Sequence, residues 1–259
     1  MTQASGYLDG APCWADLNTP DLAATKRFYG ELLGWTFDPG QEAMGYYSIC
    51  RRDGRSVAGV APKMPGQDWP TAWSLYLMCS DVDAAAPKIR EGGGRIVCEP
   101  MDIPGQGRML FAFDATGACF GLWQPGSHRG AELYGAPGAI SWSEVNSREG
   151  TRTDAFYRSL FPYEQQQIGD GKQFDYTVWN LGGKAVCGRM QMTAEWGDVP
   201  PHWLVYFGVT GTDAKAEQVK ALGGKVLHGP FDSPYGRIAV VSDPHGAVFS
   251  IIDMDRRAS

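Results

Sequence analysis

The feature of this sequence that most constrains its fold is an internal repeat. Two short segments, CWADLN and SWSEVN, share the pattern Trp-x-acid-x-Asn and lie 128 positions apart. Further pairs match at offsets of 128 to 130: Phe28 with Phe156, Trp73 with Trp203, Tyr76 with Tyr206, Gly107 with Gly236 and Asp114 with Asp243. An offset that drifts so little indicates a duplicated domain with small changes in loop length. We predict two similar domains, at residues 8–126 and 138–255, joined by a linker at 127–137 that is rich in Gly and Pro.

Length and composition agree with two globular domains. Of the 259 residues, 43% are hydrophobic and 12% aromatic, which is enough to build a core. The formal net charge of -6 argues against nucleic acid or a membrane surface as a partner, because both need a basic face. No signal peptide or membrane-spanning stretch is apparent, and the six cysteines show no CxxC spacing. We expect a cytoplasmic protein with reduced thiols.

Each half alternates strands with helices. The strand-like segment WADLN precedes a helix that Asp21 should begin and Gly34 should end, and Pro162 takes the place of Gly34 in the second half. A second helix is predicted to begin near Asp83 and to end at the glycines of residues 92–94. With the strands between them, the predicted order in each half is β-α-β-β and then β-α-β-β-β, to within one strand. The fold class is α+β.

Four segments of the first half, FYGELLGW, SDVDAA, GGGRI and FDATGACFGLW, form a series. This series resembles the vicinal oxygen chelate superfamily, which includes glyoxalase I, bleomycin-resistance proteins and extradiol dioxygenases. The resemblance covers nearly the whole chain, once per half, and is closest to tandem actinobacterial proteins labelled "putative hydroxylase". It implies tandem glyoxalase-like domains, each made of two βαβββ modules that form a curved-sheet cup.

Enzymes of that superfamily hold one divalent metal in the cup through His, Gln and Glu side chains on four strands. The matching positions here are Trp14, Gly59, Ser74 and Gly121 in the first half, and Trp142, Gly188, Leu204 and Ser250 in the second. None of them is His, Gln, Glu or Asp, and an indole N–H donates hydrogen bonds but cannot ligate a metal. We therefore expect no metal and no other cofactor. The alternative is a metal site with ligands in atypical places.

The repeated strands also supply a candidate ligand site. Side chains alternate faces along a strand, so Trp14, Asp16 and Asn18 share one face, as do Trp142, Glu144 and Asn146. One hypothesis is a metal-free pocket with an indole wall, an acid and an amide. The other is that the indoles fill the cups while the polar groups cap the neighbouring backbone. Ser74, Tyr76 and Tyr206 are further candidates for the pocket walls.

Two arginines and two titratable groups complete the candidates. Arg108 and Arg237 end the repeated segments PMDIPGQGR and PFDSPYGR. One alternative is that each segment is a structural loop at the mouth of its cup. The other is that the arginines extend into the cups and pair with an anionic ligand, Asp16 or Glu144. His202, whose repeat partner is Ala72, is a candidate general base. Glu144 is a candidate acid or base if burial raises its pKa.

Three functions are compatible with these observations. The first is binding of a small aromatic or natural-product-like molecule in a Trp-lined cup without a metal. The second is a hydroxylase-type, lyase-like, isomerase-like or accessory enzyme of secondary metabolism that works without the usual metal. The third is a metal-dependent glyoxalase or dioxygenase with atypical ligands. We expect a monomer, because the halves can pair within one chain, with a homodimer as the alternative, and we expect one functional and one structural cup.

Overall fold

Two curved eight-stranded sheets, one from each half of the chain, make up the fold. A computed structural model describes residues 2–3, 6–64, 66, 68–172 and 174–256. Strand β1 (Thr2–Gln3) pairs with a short strand in the linker. The first half then contains β2 (Pro12–Thr19), α1 (Leu22–Leu33), β3 (Thr36–Phe37), β4 (Ser48–Arg52), β5 (Arg55–Pro62), β6 (Trp73–Met78), α2 (Val82–Glu91), β7 (Arg95–Ile103), β8 (Gly107–Phe113) and β9 (Cys119–Pro125).

The second half repeats this order. Strand β10 (Leu133–Tyr134) is the linker strand, and after it come β11 (Ile140–Ser147), α3 (Gly150–Leu160), β12 (Glu164–Ile168), β13 (Tyr176–Leu181), β14 (Lys184–Gln191), β15 (His202–Gly208), α4 (Thr212–Ala221), β16 (Lys225–Ser233), β17 (Gly236–Ser242) and β18 (Val248–Asp253). None of the helices in the described part of the chain is long and apolar enough to cross a membrane.

Both sheets have the same topology, and it confirms the predicted pairs of βαβββ modules. The first sheet runs β3-β4-β5-β2-β6-β9-β8-β7 and the second β12-β13-β14-β11-β15-β18-β17-β16. Within each sheet the two modules meet at central antiparallel strands, β2 with β6 and β11 with β15. Within the modules, the strands that the prediction left out are β3, which has only two residues, and β12, whose sequence EQQQI has no apolar alternation.

Local signals place the helix ends. The Asp21 carboxylate accepts a hydrogen bond from the Ala24 N–H at 2.9 Å and caps α1, and Gly34 ends the helix with a φ of 71°, which favours glycine. The second helix begins at Val82, next to its predicted start near Asp83, and Gly92 follows its last residue as predicted. Its cap is Asp81, which accepts from the Ala84 N–H, whereas Asp83 lies in the first turn of α2.

The halves meet through the repeated Phe-Tyr pair, on the face of each sheet that carries the helices. The Tyr29 hydroxyl accepts a hydrogen bond from the Trp73 Nε1 at 3.0 Å and donates to Oδ2 of Asp243, in the other half, at 3.3 Å. In the reciprocal arrangement, the Tyr157 hydroxyl accepts from the Trp203 Nε1 at 2.7 Å and lies beside the carboxylate of Asp114. The two halves therefore share one core, with polar groups at its centre that bond across the junction.

The linker packs closely against the first sheet. The Ala131 N–H donates to the Cys13 carbonyl at 2.8 Å. The Glu132 carboxylate accepts from the backbone N–H and the hydroxyl of Ser56, at 2.7 and 2.9 Å. Leu133 is buried in the shared core. The Gly and Pro content of the linker predicts a connecting segment, but through these contacts the linker packs onto the first domain.

Tyr29→Phe should destabilise the protein by about 1 to 3 kcal/mol, because it leaves the Trp73 indole N–H and Asp243 Oδ2 without this partner in a buried junction. Urea unfolding followed by circular dichroism measures the change in free energy of unfolding. Tyr235→Phe is the control, since Tyr235 is 54% exposed and should be neutral. Equal effects of the two substitutions would contradict the role of the Tyr29 hydroxyl.

Candidate functional site

A buried carboxylate stands at the centre of the concave face of each sheet. Asp16 and Glu144 lie on the central strands β2 and β11, and each is less than 8% exposed. We call the concave face of the first sheet the first cup and that of the second sheet the second cup. In the first cup, Oδ2 of Asp16 accepts from the Tyr76 hydroxyl at 2.9 Å. In the second cup, Oε1 of Glu144 accepts from the Tyr206 hydroxyl at 2.8 Å. The repeat has thus preserved both the acid and its tyrosine donor.

A second tyrosine completes each cluster, and the sequence analysis missed it. The Tyr47 hydroxyl accepts from the Trp14 Nε1 at 2.8 Å and donates to Asp16 at 3.3 Å. The Tyr176 hydroxyl accepts from the Trp142 Nε1 at 2.7 Å and also bonds Glu144. Tyr47 and Tyr176 lie 129 positions apart, so the repeat offset could have identified them.

Glycines make room for these hydroxyls. A Cβ on Gly59 would lie 1.9 Å from the Tyr47 hydroxyl, and one on Gly188 would lie 2.3 Å from that of Tyr176. In the first cup, a Cβ on Gly121 would meet the Tyr76 ring at 2.5 Å. Three positions that match metal ligands of the resembled superfamily therefore hold no side chain here, because tyrosines occupy the space.

Burial raises the pKa of both carboxyls. It raises the pKa of Asp16 to about 6 and that of Glu144 to about 7, although the tyrosine hydrogen bonds oppose the shift by favouring the charged forms. Burial also raises the pKa of Tyr76 and Tyr206 well above the usual range, so both remain hydrogen-bond donors. Glu144 is accordingly distributed between its acid and its carboxylate near neutral pH.

The linker covers the first cup. The His128 ring meets the Trp14 ring edge-on at 4.4 Å, and the Trp123 Nε1 donates to the His128 carbonyl at 2.9 Å. Ala131 and Tyr7 pack into the same cluster. Burial lowers the pKa of His128 to about 4, so its ring is neutral. Trp14 is only 4% exposed as a result, which matches the hypothesis that an indole fills this cup.

The second cup differs from the first in the side chains at its two ends. Trp142 is partly exposed, and the cluster around it consists of Leu204, Tyr206, Ile238, Ile252 and Met254. At the other end of β11, the Asn146 Nδ2 lies 3.3 Å from the His202 Nε2, while the His202 Nδ1 lies 2.8 Å from the Pro200 carbonyl. This cup therefore has an apolar end at Trp142, a carboxyl in the middle and a polar end at Asn146.

The remaining predicted residues fall outside these clusters or at their edges. Ser74 lies at the edge of the first cluster, opposite Asp16 across β2 and β6, and its side chain hydrogen-bonds that carboxyl, whereas Asn18 is exposed. Arg108 bonds Asp102 at 2.6 Å and Asp83 at 2.9 Å. Arg237 likewise bonds Asp213 and Asp232. Of the two alternatives for these arginines, the structural one agrees with these contacts. Carboxylates at the start of each second helix, Asp83 and Asp213, and on the paired strands, Asp102 and Asp232, bind both guanidinium groups.

Neither cup has the donor set that a divalent metal requires. Each offers one carboxylate, and its nearest polar neighbours are tyrosine hydroxyls that burial keeps protonated. Across residues 6–64, 68–172 and 174–256, no three His, Cys, Asp or Glu side chains form a group suited to a metal ion. Zinc, iron and manganese sites use several imidazole, carboxylate or thiolate ligands, so these residues do not fit such an ion.

Replacing Glu144 with Gln should flatten part of the pH dependence of stability. The folded-state pKa of Glu144 is raised from 4.5 to about 7, so its contribution to stability is fully present below pH 4.5 and is lost as the pH rises through 7. Between pH 4.5 and 8, the free energy of unfolding of the wild type should fall by roughly 2 to 3 kcal/mol more than that of Glu144→Gln. Urea unfolding at both pH values measures this, with exposed Glu149→Gln as the control. Parallel curves for wild type and Glu144→Gln would contradict the burial effect.

Comparisons with known proteins agree with this architecture. The model of the Glyoxalase/Bleomycin resistance protein/Dioxygenase superfamily matches residues 13–120. "Putative glyoxylase CFP32" of Mycobacterium tuberculosis is 39% identical over 259 residues, covering 97% of this chain and 98% of that protein. "Anthracycline biosynthesis protein DnrV" of Streptomyces peucetius is 37% identical over 266 residues, covering 96% and 94%.

Among solved structures, the Mn(II)-bound glyoxalase from Novosphingobium aromaticivorans aligns with a TM-score of 0.63. The alignment covers 97% of this chain and 87% of that one at 18% identity, which shows the same fold. With the sequence relatives and the duplicated cup topology, these comparisons establish that the chain belongs to the Glyoxalase/Bleomycin resistance protein/Dioxygenase superfamily.

Proposed function

We propose that this protein binds a small, planar, largely aromatic molecule in the second cup, without a metal at the four strand positions. The observation that carries the proposal is the order of side chains along one face of β11. Trp142 lies at an apolar end, Glu144 in the middle and Asn146 at a polar end. A concave, mostly apolar surface with a few fixed polar groups is the usual composition of a small-molecule site.

The difference between the cups supports one site per chain. The linker and His128 cover Trp14 in the first cup, whereas Trp142 in the second is partly exposed. Phe174, which is 45% exposed, stacks on Tyr176 at a ring distance of 6.1 Å and extends the aromatic surface next to Trp142. The first cup then serves as structure and the second as the binding surface.

The relatives support the ligand class. The name of the Streptomyces peucetius protein assigns it to anthracycline biosynthesis, and anthracyclines carry a fused aromatic ring system. A flat ring system of that kind can pack against the partly exposed indole of Trp142 and the exposed ring of Phe174 beside it. We therefore take a role in secondary metabolism as the setting for this binding.

A second candidate is acid–base catalysis on the bound molecule by Glu144. The specific observation that favours it is the Glu144 pKa of about 7, which suits proton transfer at neutral pH. Tyr206 and Tyr176 hold the carboxyl in place through their hydroxyls. Under this reading His202 is not the base, since Asn146 and Pro200 engage both of its ring nitrogens.

Trp142→Leu should weaken binding of 2-hydroxyanthraquinone at least about tenfold, because it removes the indole face at the apolar end of the cup. Quenching of tryptophan fluorescence gives the dissociation constant and a stoichiometry of one per chain. Trp14→Leu is the matched control and should keep the wild-type affinity, since the linker covers Trp14. The proposal fails if the wild type does not bind the probe, or if the Trp14 variant loses affinity and the Trp142 variant does not.

The catalytic candidate has its own test. If Glu144 acts as a base, the protein should accelerate exchange of the acidic C–H protons of 2-tetralone with deuterated water, and the rate should rise with pH through about 7 as the carboxyl ionises. Proton NMR follows the exchange. Glu144→Gln should reduce the rate at least about a hundredfold, while exposed Glu149→Gln should not. Equal rates for wild type and Glu144→Gln would exclude this role.

A further inference from the structure

We propose that Asn146, positioned by His202, recognises a hydroxyl group of the ligand, so that the second cup selects hydroxylated polycyclic aromatic molecules over those without a hydrogen-bond donor. This inference rests on the proposed function, since it concerns the polar end of the same cup. It assigns a specificity-determining role to Asn146 and a positioning role to His202.

The hydrogen bonds of His202 determine its tautomer. The His202 Nδ1 lies 2.8 Å from the Pro200 carbonyl, and because a carbonyl only accepts, Nδ1 carries the proton. Burial lowers the pKa of His202, although the bond to Pro200 opposes this shift, so the ring is neutral at pH 7. The Nε2 atom therefore presents a lone pair.

The tautomer in turn orients the Asn146 amide. The Asn146 Nδ2 lies 3.3 Å from the His202 Nε2 and must donate to it, because the opposite amide orientation would set an oxygen against the ring lone pair. This leaves Oδ1 of Asn146 as the free acceptor. Asn146 lies directly opposite His202 across β11 and β15, so both side chains are held by paired strands, while the Pro200 carbonyl lies just before β15.

The Asn146 Oδ1 is a buried acceptor that needs a donor. Asn146 is 0% exposed, and within the described part of the chain no donor reaches its Oδ1. A buried carbonyl without a donor is unfavourable, and a ligand hydroxyl would supply the missing hydrogen bond. An ether oxygen at the same place has no proton to give and would leave two acceptors facing each other.

The spacing along β11 fits a fused ring system. Asn146 is four residues from Trp142, which puts their Cα atoms roughly 13 Å apart at the rise of an extended strand. That span exceeds the length of a single phenol ring. A molecule that packs its rings on Trp142 while its hydroxyl reaches Asn146 must therefore carry more than one ring, and it passes over Glu144 between them.

The first half provides a natural control. Asn18 is the repeat partner of Asn146 but is exposed, and the position of His202 is taken there by Ala72, which has no group to orient the amide. Both halves have the asparagine. Only in the second half is it buried, with its amide oriented by a histidine.

The experiment compares 2-hydroxyanthraquinone with 2-methoxyanthraquinone, which differ in the donor, by quenching of tryptophan fluorescence. The wild type should prefer the hydroxyl compound by about tenfold, the effect of one hydrogen bond. Asn146→Leu should remove the preference, and Asn18→Leu should leave it unchanged. His202→Ala should reduce the preference without weakening the methoxy compound, whereas a loss of packing alone would lower both affinities together.

Thermal unfolding shows whether Asn146→Leu folds. If Asn146→Leu does not fold, His202→Ala, at a partly exposed position, is the second variant that tests the preference. Equal binding of the two probes by the wild type, or an undiminished preference in Asn146→Leu, would overturn donor recognition while the second cup remained a binding site. If neither probe bound the wild type, the proposed function itself would fail, and this inference with it.

Discussion

The arrangement of the other side chains in each cup depends on its buried carboxylate, Asp16 or Glu144. A carboxyl in the middle of a sheet face must find hydrogen-bond donors or remain protonated, and here tyrosines on neighbouring strands supply them. The second tyrosine of each cluster, Tyr47 or Tyr176, needs space at the centre of its cup, which Gly59 and Gly188 provide by lacking a side chain. The indoles of the opening strands then bond the second tyrosine of each cluster. Acid, tyrosines, glycines and indoles therefore form one interdependent unit, present twice.

By the resemblance to the superfamily, Gly59, Gly121 and Gly188 match positions of metal ligands, and here tyrosines fill the space beside them. Aromatic groups and a single carboxyl therefore make this centre one of packing and hydrogen bonding. The hydroxyls of Tyr76 and Tyr206 donate to the carboxylates, and burial keeps both phenols protonated. A cup built in this way offers aromatic rings and one hydrogen-bonded carboxyl, and our proposal of an aromatic ligand rests on that composition.

Duplication made the two cups alike, and packing made them different. The linker covers the first cup with His128 and Ala131, because the chain leaving β9 must pass that face on its way to the second half. Among the residues described after β18, Met254 joins the cluster of the second cup. The first cup is therefore covered, whereas Trp142 of the second cup is partly exposed, and the Tyr29 and Tyr157 junction holds both halves in one core.

The sequence by itself determined the duplication, the α+β class, the module order and the helix ends at Asp21 and Gly34, because repeats, alternation and caps are local or periodic signals. It also placed Trp14, Asp16, Trp142 and Glu144 on one face of their strands, since strand periodicity is strict. Only the tertiary structure decided what meets those side chains. Tyr47, just before β4, and Tyr176, at the start of β13, reach the acids. Arg108 and Arg237 bind nearer carboxylates, and the linker covers one cup only. These contacts join residues far apart in the chain, and their partners depend on how strands and linker pack, which no local pattern specifies.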